Sequence, residues 1–406
     1  MKNHLLIATA CLLGLLATTG ASLPYPILPP LFAAGAADNL NHFLGLPPKL
    51  LFSIALLINP LGLLIGNAVL GPLSDRFGRR KVVLVTAAGA AVGHVLTAGA
   101  LAMQSYPLFL AARFGTGLLE GQAPVVRALL AERLEGDLRN RAMSRFNGAL
   151  HLGWLVGPLL AGVTIGFGLS VPFYVAAGAL LLGATFCAVA LNKEKPHGAA
   201  VSWWSVARER HAFNLLRHDQ LRLLFIMQLA YTCGVTGFYE FYPLWLVEVG
   251  HFDTRGISLV NVGLCGVMTL SAAFAGGPSK LDPLRRASFH AILVAILIAS
   301  VALGNLWVGM AGIVLFGLPH AFYNATIQGW AADRFGGHGQ GAVMGLLSTT
   351  FCFANIVMAL GGAVLTLFDT RLILLAGAGL SAWAAYRMRA WRWQEAHVHA
   401  SNAAET

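Results

Sequence analysis

Charge is scarce in this chain: only 11% of its 406 residues are Asp, Glu, Lys or Arg, against about 25% in a soluble domain. Acids are scarcer than bases, 17 against 27. A water-exposed globular surface cannot be built from so few charges. Cysteine is also sparse. Cys11, Cys187, Cys233, Cys265 and Cys352 all fall in apolar runs with no paired spacing, which argues against a disulfide framework and for free, buried thiols. The chain has no phosphate-binding Gly-rich loop, no His-Glu-x-x-His or similar metal-ligand spacing, and no nucleophile elbow. The expectation is therefore no cofactor, no metal, no catalytic residue and no enzyme activity.

Apolar sequence is abundant: 57% of residues are hydrophobic and the mean hydropathy is +0.69. Runs of roughly 18 or more apolar residues read as membrane spans. Twelve occur, at about 5–35, 48–70, 82–102, 106–131, 142–166, 171–191, 221–249, 257–277, 287–304, 306–331, 342–366 and 370–388. Backbone groups in lipid need internal partners, so the spans are helices and the fold class is an all-α membrane protein. The first run resembles a signal peptide up to Ser22, but its apolar character continues through Phe32, which favours a first span.

The net charge of +10 does not point to nucleic acid, because its distribution follows the membrane. With the N-terminus placed inside, 22 of the 27 Lys and Arg fall on the cytoplasmic side, and only Lys49, Arg255 and Arg371 fall outside. This positive-inside bias predicts a multi-pass protein of a bacterial-type inner membrane, in contact with lipid, with both termini cytoplasmic. The longest polar stretch divides the spans six and six. The expected organisation is a first bundle at 1–191, a cytoplasmic linker at 192–220, a second bundle at 221–388 and a tail at 389–406. Within the linker, Trp203, Trp204 and Phe213 alternate with Arg208, Arg210 and Arg217, which suits an amphipathic helix on the membrane surface; a flexible linker is the alternative.

Between the second and third runs stands Gly-Pro-Leu-Ser-Asp-Arg-Phe-Gly-Arg-Arg. Gly71, Leu73, Asp75, Arg76, Gly78, Arg79 and Arg80 fall on the pattern Gly-x-Leu-Ala-Asp-Arg-x-Gly-Arg-Lys, with Ser74 for Ala and Arg80 for Lys. This loop resembles the one joining helices two and three of the major facilitator superfamily of transporters. A partial second copy, Gly277-Pro278 with Arg285-Arg286, recurs at an offset of 206. The resemblance implies twelve transmembrane helices in two pseudo-symmetric six-helix bundles, with the solute held between them. It also implies that Asp75, Arg79 and Glu132 take part in a cytoplasmic latch. In the fifth run, Gly153, Gly157, Pro158 and Gly162 resemble the superfamily's antiporter signature; a plain packing motif has the same residues. Overall, the motif pattern resembles the drug/metabolite:proton antiporter group.

Charges inside spans are expensive and mark function by default, at about 2.5–3.5 kcal/mol each. Arg113, Glu120 and Arg127 are spaced by seven, so on one continuous helix they share a face within ~20° per step. Each needs a partner elsewhere, a water-filled cavity or a solute; an interhelix ion pair is the structural alternative. Arg113 with Gly117 resembles the superfamily's Arg-x-x-x-Gly signature of the fourth span, tied there to proton coupling. Glu240 is flanked by Phe238, Tyr239, Phe241, Tyr242 and Trp245. Desolvation by rings would favour its protonated form, which suits a proton carrier; an acid hydrated near the outer surface is the alternative. His320, Asn324 and Gln328 make a polar stripe at a spacing of four, and His exchanges protons near neutral pH. His94 and His151 are solitary intramembrane histidines and read as packing residues.

The function expected is proton-coupled export of a small amphiphilic molecule, drug-like or siderophore-like, by a monomer. Tyr25, Tyr239, Tyr242 and Trp245 are expected to stack on the solute. A proton-coupled organic-anion symporter is the rival reading, since Leu118–Pro124 also resembles the Glu-Gly-x-x-x-Pro element of such symporters. A membrane receptor or scaffold is the non-transporting alternative. Substrate identity, direction of transport and proton stoichiometry are not legible.

Overall fold

The computed structural model describes residues 2–33, 39–190, 216–275, 281–335 and 340–404. The linker expected at 192–220 falls largely outside the described residues, and so does the surface helix expected within it. Described residues form helices and turns, with no strand among them. The chain divides into two compact units: Met1–His211 with Phe252–Val262, and Ala212–His251 with Gly263–Thr406. The start of the eighth span thus groups with the first unit.

The first unit contains α1 (Lys2–Ser22), α2 (Leu28–Phe32), α3 (Pro48–Phe77), α4 (Arg79–Ala102), α5 (Tyr106–Glu120), α6 (Ala123–Arg133), α7 (Gly136–Thr164) and α8 (Val171–Ala190). The basic motif forms the tight joint between α3 and α4. Gly78 adopts φ 91° there, a left-handed conformation that side chains with a Cβ resist. At this joint Arg79 Nη2 pairs with Glu132 Oε1 at 2.7 Å, and its Nη1 donates to Ser74 Oγ. Arg80 Nη2 donates to the Ala188 carbonyl at 2.6 Å. Arg76 lies over the Phe77 ring, 5.2 Å from its centre. At Gly71 a Cβ would meet nothing. Val82, Val83, Val125, Leu129 and Phe146 bury a core behind the joint.

The second unit contains α9 (Asp219–Gly250), most of α10 (Thr254–Ala275), α11 (Pro283–Ala302), α12 (Leu306–Phe335), α13 (Gln340–Phe368) and α14 (Thr370–Ala404). Asp282 caps α11 by accepting from the Arg285 N–H at 2.9 Å, and Pro283 opens the helix. Both features suit a helix N-terminus, where N–H groups lack intrahelical partners. Ser288 Oγ donates to the Ala385 carbonyl at 2.9 Å, tying α11 to α14.

Large apolar side chains such as Val85, Val92, Leu182, Leu270, Phe274, Trp307 and Phe368 lie exposed on the helices' outer faces, as a protein solvated by lipid requires. Among the described residues, ten helices are long and apolar enough to cross a membrane. The other two of the twelve expected spans are α14 and the fourth span, which is not one helix. Gly121 and Gln122 interrupt it between α5 and α6. Pro124 accounts for the break: it lacks an N–H, and its ring collides with the carbonyl four residues earlier in a continuous helix. That carbonyl belongs to Glu120, and it accepts instead from the Gln122 N–H at 2.8 Å. The five cysteines are free; four are buried and Cys11 is half-buried.

Candidate functional site

Two buried polar clusters stand out, one in each unit. In the first, α5 ends on Glu120, and its carboxylate meets α4 and α3. His94 Nε2 lies 3.0 Å from Glu120 Oε1. Asn59 Nδ2 donates to Glu120 Oε2 at 3.2 Å and to the Arg113 carbonyl at 3.2 Å. Helix α1 closes over the pair: a Cβ at Gly20 would collide with both His94 and Glu120 Oε1. Phe173 of α8 stands 6.3 Å from the His94 ring. His94, Arg113, Glu120 and Asn59 are 0%, 2%, 4% and 5% exposed, so water does not screen their charges. Arg113 Nη2 reaches the Ala21 carbonyl at 3.5 Å, while its Nη1 has no hydrogen-bond partner. Glu120 and Tyr25 both act on Arg113 electrostatically.

Arg127 does not join this cluster. The expected single face of Arg113, Glu120 and Arg127 depended on a continuous helix, and the break after Glu120 removes that continuity. Arg127 sits half-buried on α6, with Nη2 3.1 Å from Asn147 Oδ1 and its guanidinium over the Phe146 ring. The glycines of the antiporter-like signature bring α7 against α1. A Cβ at Gly153 would strike Thr18, and one at Gly157 would strike Ser22 and come within 2.6 Å of the Thr19 carbonyl. Ser22 Oγ donates to the Gly153 carbonyl at 3.0 Å. Gly162, beyond Pro158, faces Ser258. Tyr25 packs edge-on against Trp154 at 5.4 Å.

The second unit holds a neutral network. Asn324 Nδ2 lies 2.9 Å from His320 Nε2, and His320 Nδ1 lies 3.0 Å from the Tyr231 hydroxyl. With Asn324 donating, the ring hydrogen sits on Nδ1 and the Tyr231 oxygen accepts it. Tyr231 stacks on Tyr323 at 3.5 Å. The Tyr323 hydroxyl donates to Gln228 Oε1 at 2.9 Å, and Gln228 Nε2 reaches Thr232. Rings continue the cluster: Phe316 lies 4.2 Å from Phe238 and 5.5 Å from Tyr239, and Tyr242 lies 5.1 Å from Phe238. Gln328 of the expected stripe is exposed.

Glu240 stands apart from these rings, although they adjoin it in sequence. At ~100° per residue its side chain points ~100° from Tyr239 and ~160° from Phe238 and Tyr242. It is 1% exposed, and neither carboxyl oxygen has a hydrogen-bond partner among the described residues. Trp245 is fully buried and packs where Gly309 has no side chain.

Sequence reasoning undervalued His94 and did not single out Asn59, Gln228, Tyr231 or Tyr323. Asn59 had a usable signal, as an amide in the middle of an otherwise apolar run. The tyrosines had none, because their ring neighbours come from distant helices.

The sequence profile of the Major Facilitator Superfamily matches residues 10–357, most of both units. The chain belongs to the Major Facilitator Superfamily. Among curated superfamily members, it is 28% identical to multidrug resistance protein MdtG of Serratia proteamaculans (strain 568) over 74% of this chain and 70% of that one. It is 30% identical to the class B tetracycline resistance protein of Escherichia coli over 41% of this chain and 39% of that one. The first of these matches thus spans over two thirds of its relative and the second well under half. A D-xylose-proton symporter shares the superfamily fold with a TM-score of 0.73 at 15% identity, covering 95% of this chain and 97% of that one. The chain is thus a multi-pass membrane transporter and not an enzyme, with relatives of the kind its motif pattern suggested.

Proposed function

We propose that this superfamily member exports a small amphiphilic organic molecule in exchange for protons, by alternating access, as a monomer with both termini cytoplasmic. One observation carries the proton part: Glu240 is a fully buried carboxyl whose two oxygens lack partners. Such a group is far costlier as an anion than as an acid, so its charge state responds to whether its surroundings are wet. A change between inward and outward access changes those surroundings. Multidrug and tetracycline resistance proteins among the relatives support export and an amphiphilic solute. The half-buried Tyr239 ring, clustered with Tyr242, Phe316 and His320, supplies stacking surface.

The purified protein in liposomes, with tetracycline and ethidium as fluorescent probes, tests this. An antiporter accumulates probe inside vesicles with an acidic lumen, beyond protein-free controls. A second reading, proton-coupled uptake of an organic anion, draws on the unpartnered Nη1 of buried Arg113. It requires accumulation of a probe such as nicotinate in vesicles with an alkaline lumen. Counterflow absent for every probe would overturn both readings of the solute.

A further inference from the structure

We propose that His94 and Glu120 form a binding site for one proton at the break of the fourth span, and that loading it obliges His94 Nδ1 to find a new acceptor. The inference rests on the proton-coupled reading only for its role in transport; proton binding itself is read without any solute.

The hydrogen-bond inventory fixes where a proton can go. With Glu120 ionised, Oε1 accepts from His94 Nε2–H and Oε2 accepts from Asn59 Nδ2–H. His94 Nδ1 is then a bare lone pair, and it is a buried atom with no hydrogen-bond partner among the described residues. One added proton has three places. Oε2 is disfavoured: a proton on the lone pair that Asn59 leaves free would cancel the charge that the donors on Glu120 and Arg113 hold, and would gain no acceptor in return. The amide cannot turn to accept, since the same Nδ2 also donates to the Arg113 carbonyl, and turning would set two oxygens face to face. A proton on Oε1 donates to Nε2 and drives the ring hydrogen to Nδ1. A proton taken by the ring itself also sits on Nδ1. Either loaded form therefore carries an N–H on Nδ1, buried and without an acceptor, which is unfavourable until something moves.

The surroundings tolerate the added charge. Glu120 and Tyr25 both act electrostatically on Arg113. Helices α1, α3 and α8 present Gly20, Asn59 and Phe173, none of which titrates. Arg113 and Glu120 cancel in the empty site, and the loaded site carries one net positive charge. It sits at the C-terminal end of α5, where the helix dipole favours a cation. Pro124 creates that end inside the span, so the break and the proton site are one feature. A site of this kind ties proton uptake to a rearrangement of α4 against its neighbours, which is what coupling needs.

Infrared spectra of the reconstituted full-length protein, titrated from acid to alkaline pH, test the site. The expected result is one step in which carboxyl and imidazole bands change together. H94Q keeps a donor near Oε1 yet is expected to move the carboxyl midpoint by about one pH unit or more, a tenfold change in proton affinity. E120Q is expected to remove the shared step, and E240Q to leave it in place. Carboxyl and imidazole bands that titrate independently, or a Glu120 midpoint unmoved in H94Q, would overturn the proposal. H94Q alone decides the matter where E120Q does not fold. A shared step in a protein that responds to no pH gradient would refute the transport reading and keep the site. A gradient-driven transporter without the step would do the reverse.

Discussion

The buried cluster of the first unit is made of charges, and that of the second is made of neutral groups with one acid left alone. In the first, Glu120 is held by His94 and Asn59 and balanced by Arg113. In the second, Tyr231, His320 and Asn324 satisfy one another, and Glu240 lies outside their network. The two arrangements fail differently. A paired buried charge resists removal, because the partner is then stranded. An unpaired buried acid resists ionisation, and its isosteric amide imitates the protonated state. On the proposed reading the units have separate tasks: the first stores a proton against a fixed charge, and the second offers aromatic surface together with an acid whose charge state follows solvent access.

The sharpest way to break this comparison is Glu240→Gln. Accumulation driven by a pH gradient is expected to fall about tenfold or more, equivalent to ~1.4 kcal/mol or more of coupling, while downhill probe exchange persists. Measurement of both in one liposome preparation checks this. Undiminished accumulation would leave Glu120 and His320 as the remaining proton candidates.

Packing gives the next largest effect. Gly157→Val presses against Ser22 and the Thr19 carbonyl in the first unit. Gly234→Val does the same against Ser381 and the Gly377 carbonyl in the second. Each is expected to cost about 1–3 kcal/mol, seen as a lower thermal midpoint in detergent. If only Gly157→Val lowers the midpoint, the close crossing of α9 and α14 is not a stability element.

Tyr231→Phe removes one hydroxyl from the neutral network while keeping its ring stacked on Tyr323. About 1 kcal/mol is expected, so probe affinity should change less than tenfold. A larger loss, measured by tryptophan quenching with tetracycline, would mean that the hydroxyl meets the solute. The smallest effect is expected at the α3–α4 joint. Arg79→Ala should cost about 0–1 kcal/mol of stability, because its partner Glu132 is exposed and such pairs are weak. The difference from the unmodified chain should shrink further in high salt.

Much of the fold was legible in the sequence because lipid imposes one simple rule. Long apolar runs must become helices, and the span count and the helical class followed from that rule; the family came separately, from the resemblance of the Gly71–Arg80 loop to a known motif. The candidate site was only partly legible. Arg113, Glu120 and Glu240 were visible as charges out of place. Their surroundings were not, because Asn59, His94 and Gly20 reach Glu120 from three other helices. The assumption of a straight fourth helix grouped Arg127 with Glu120, and the Pro124 break separates them. The rings beside Glu240 in sequence gave a false neighbourhood, since successive residues of a helix point in different directions.

Composition and local spacing thus determined the membrane-spanning helices and which charges lie inside them, and a motif resemblance pointed to the transporter family that the profile match shows. Only the tertiary structure decided which of those charges meet, that Glu120 is shared between His94 and Asn59, and that Glu240 has no partner. Hydrogen bonds act over about 3 Å, and the packing of distant helices, which no local pattern encodes, sets distances on that scale.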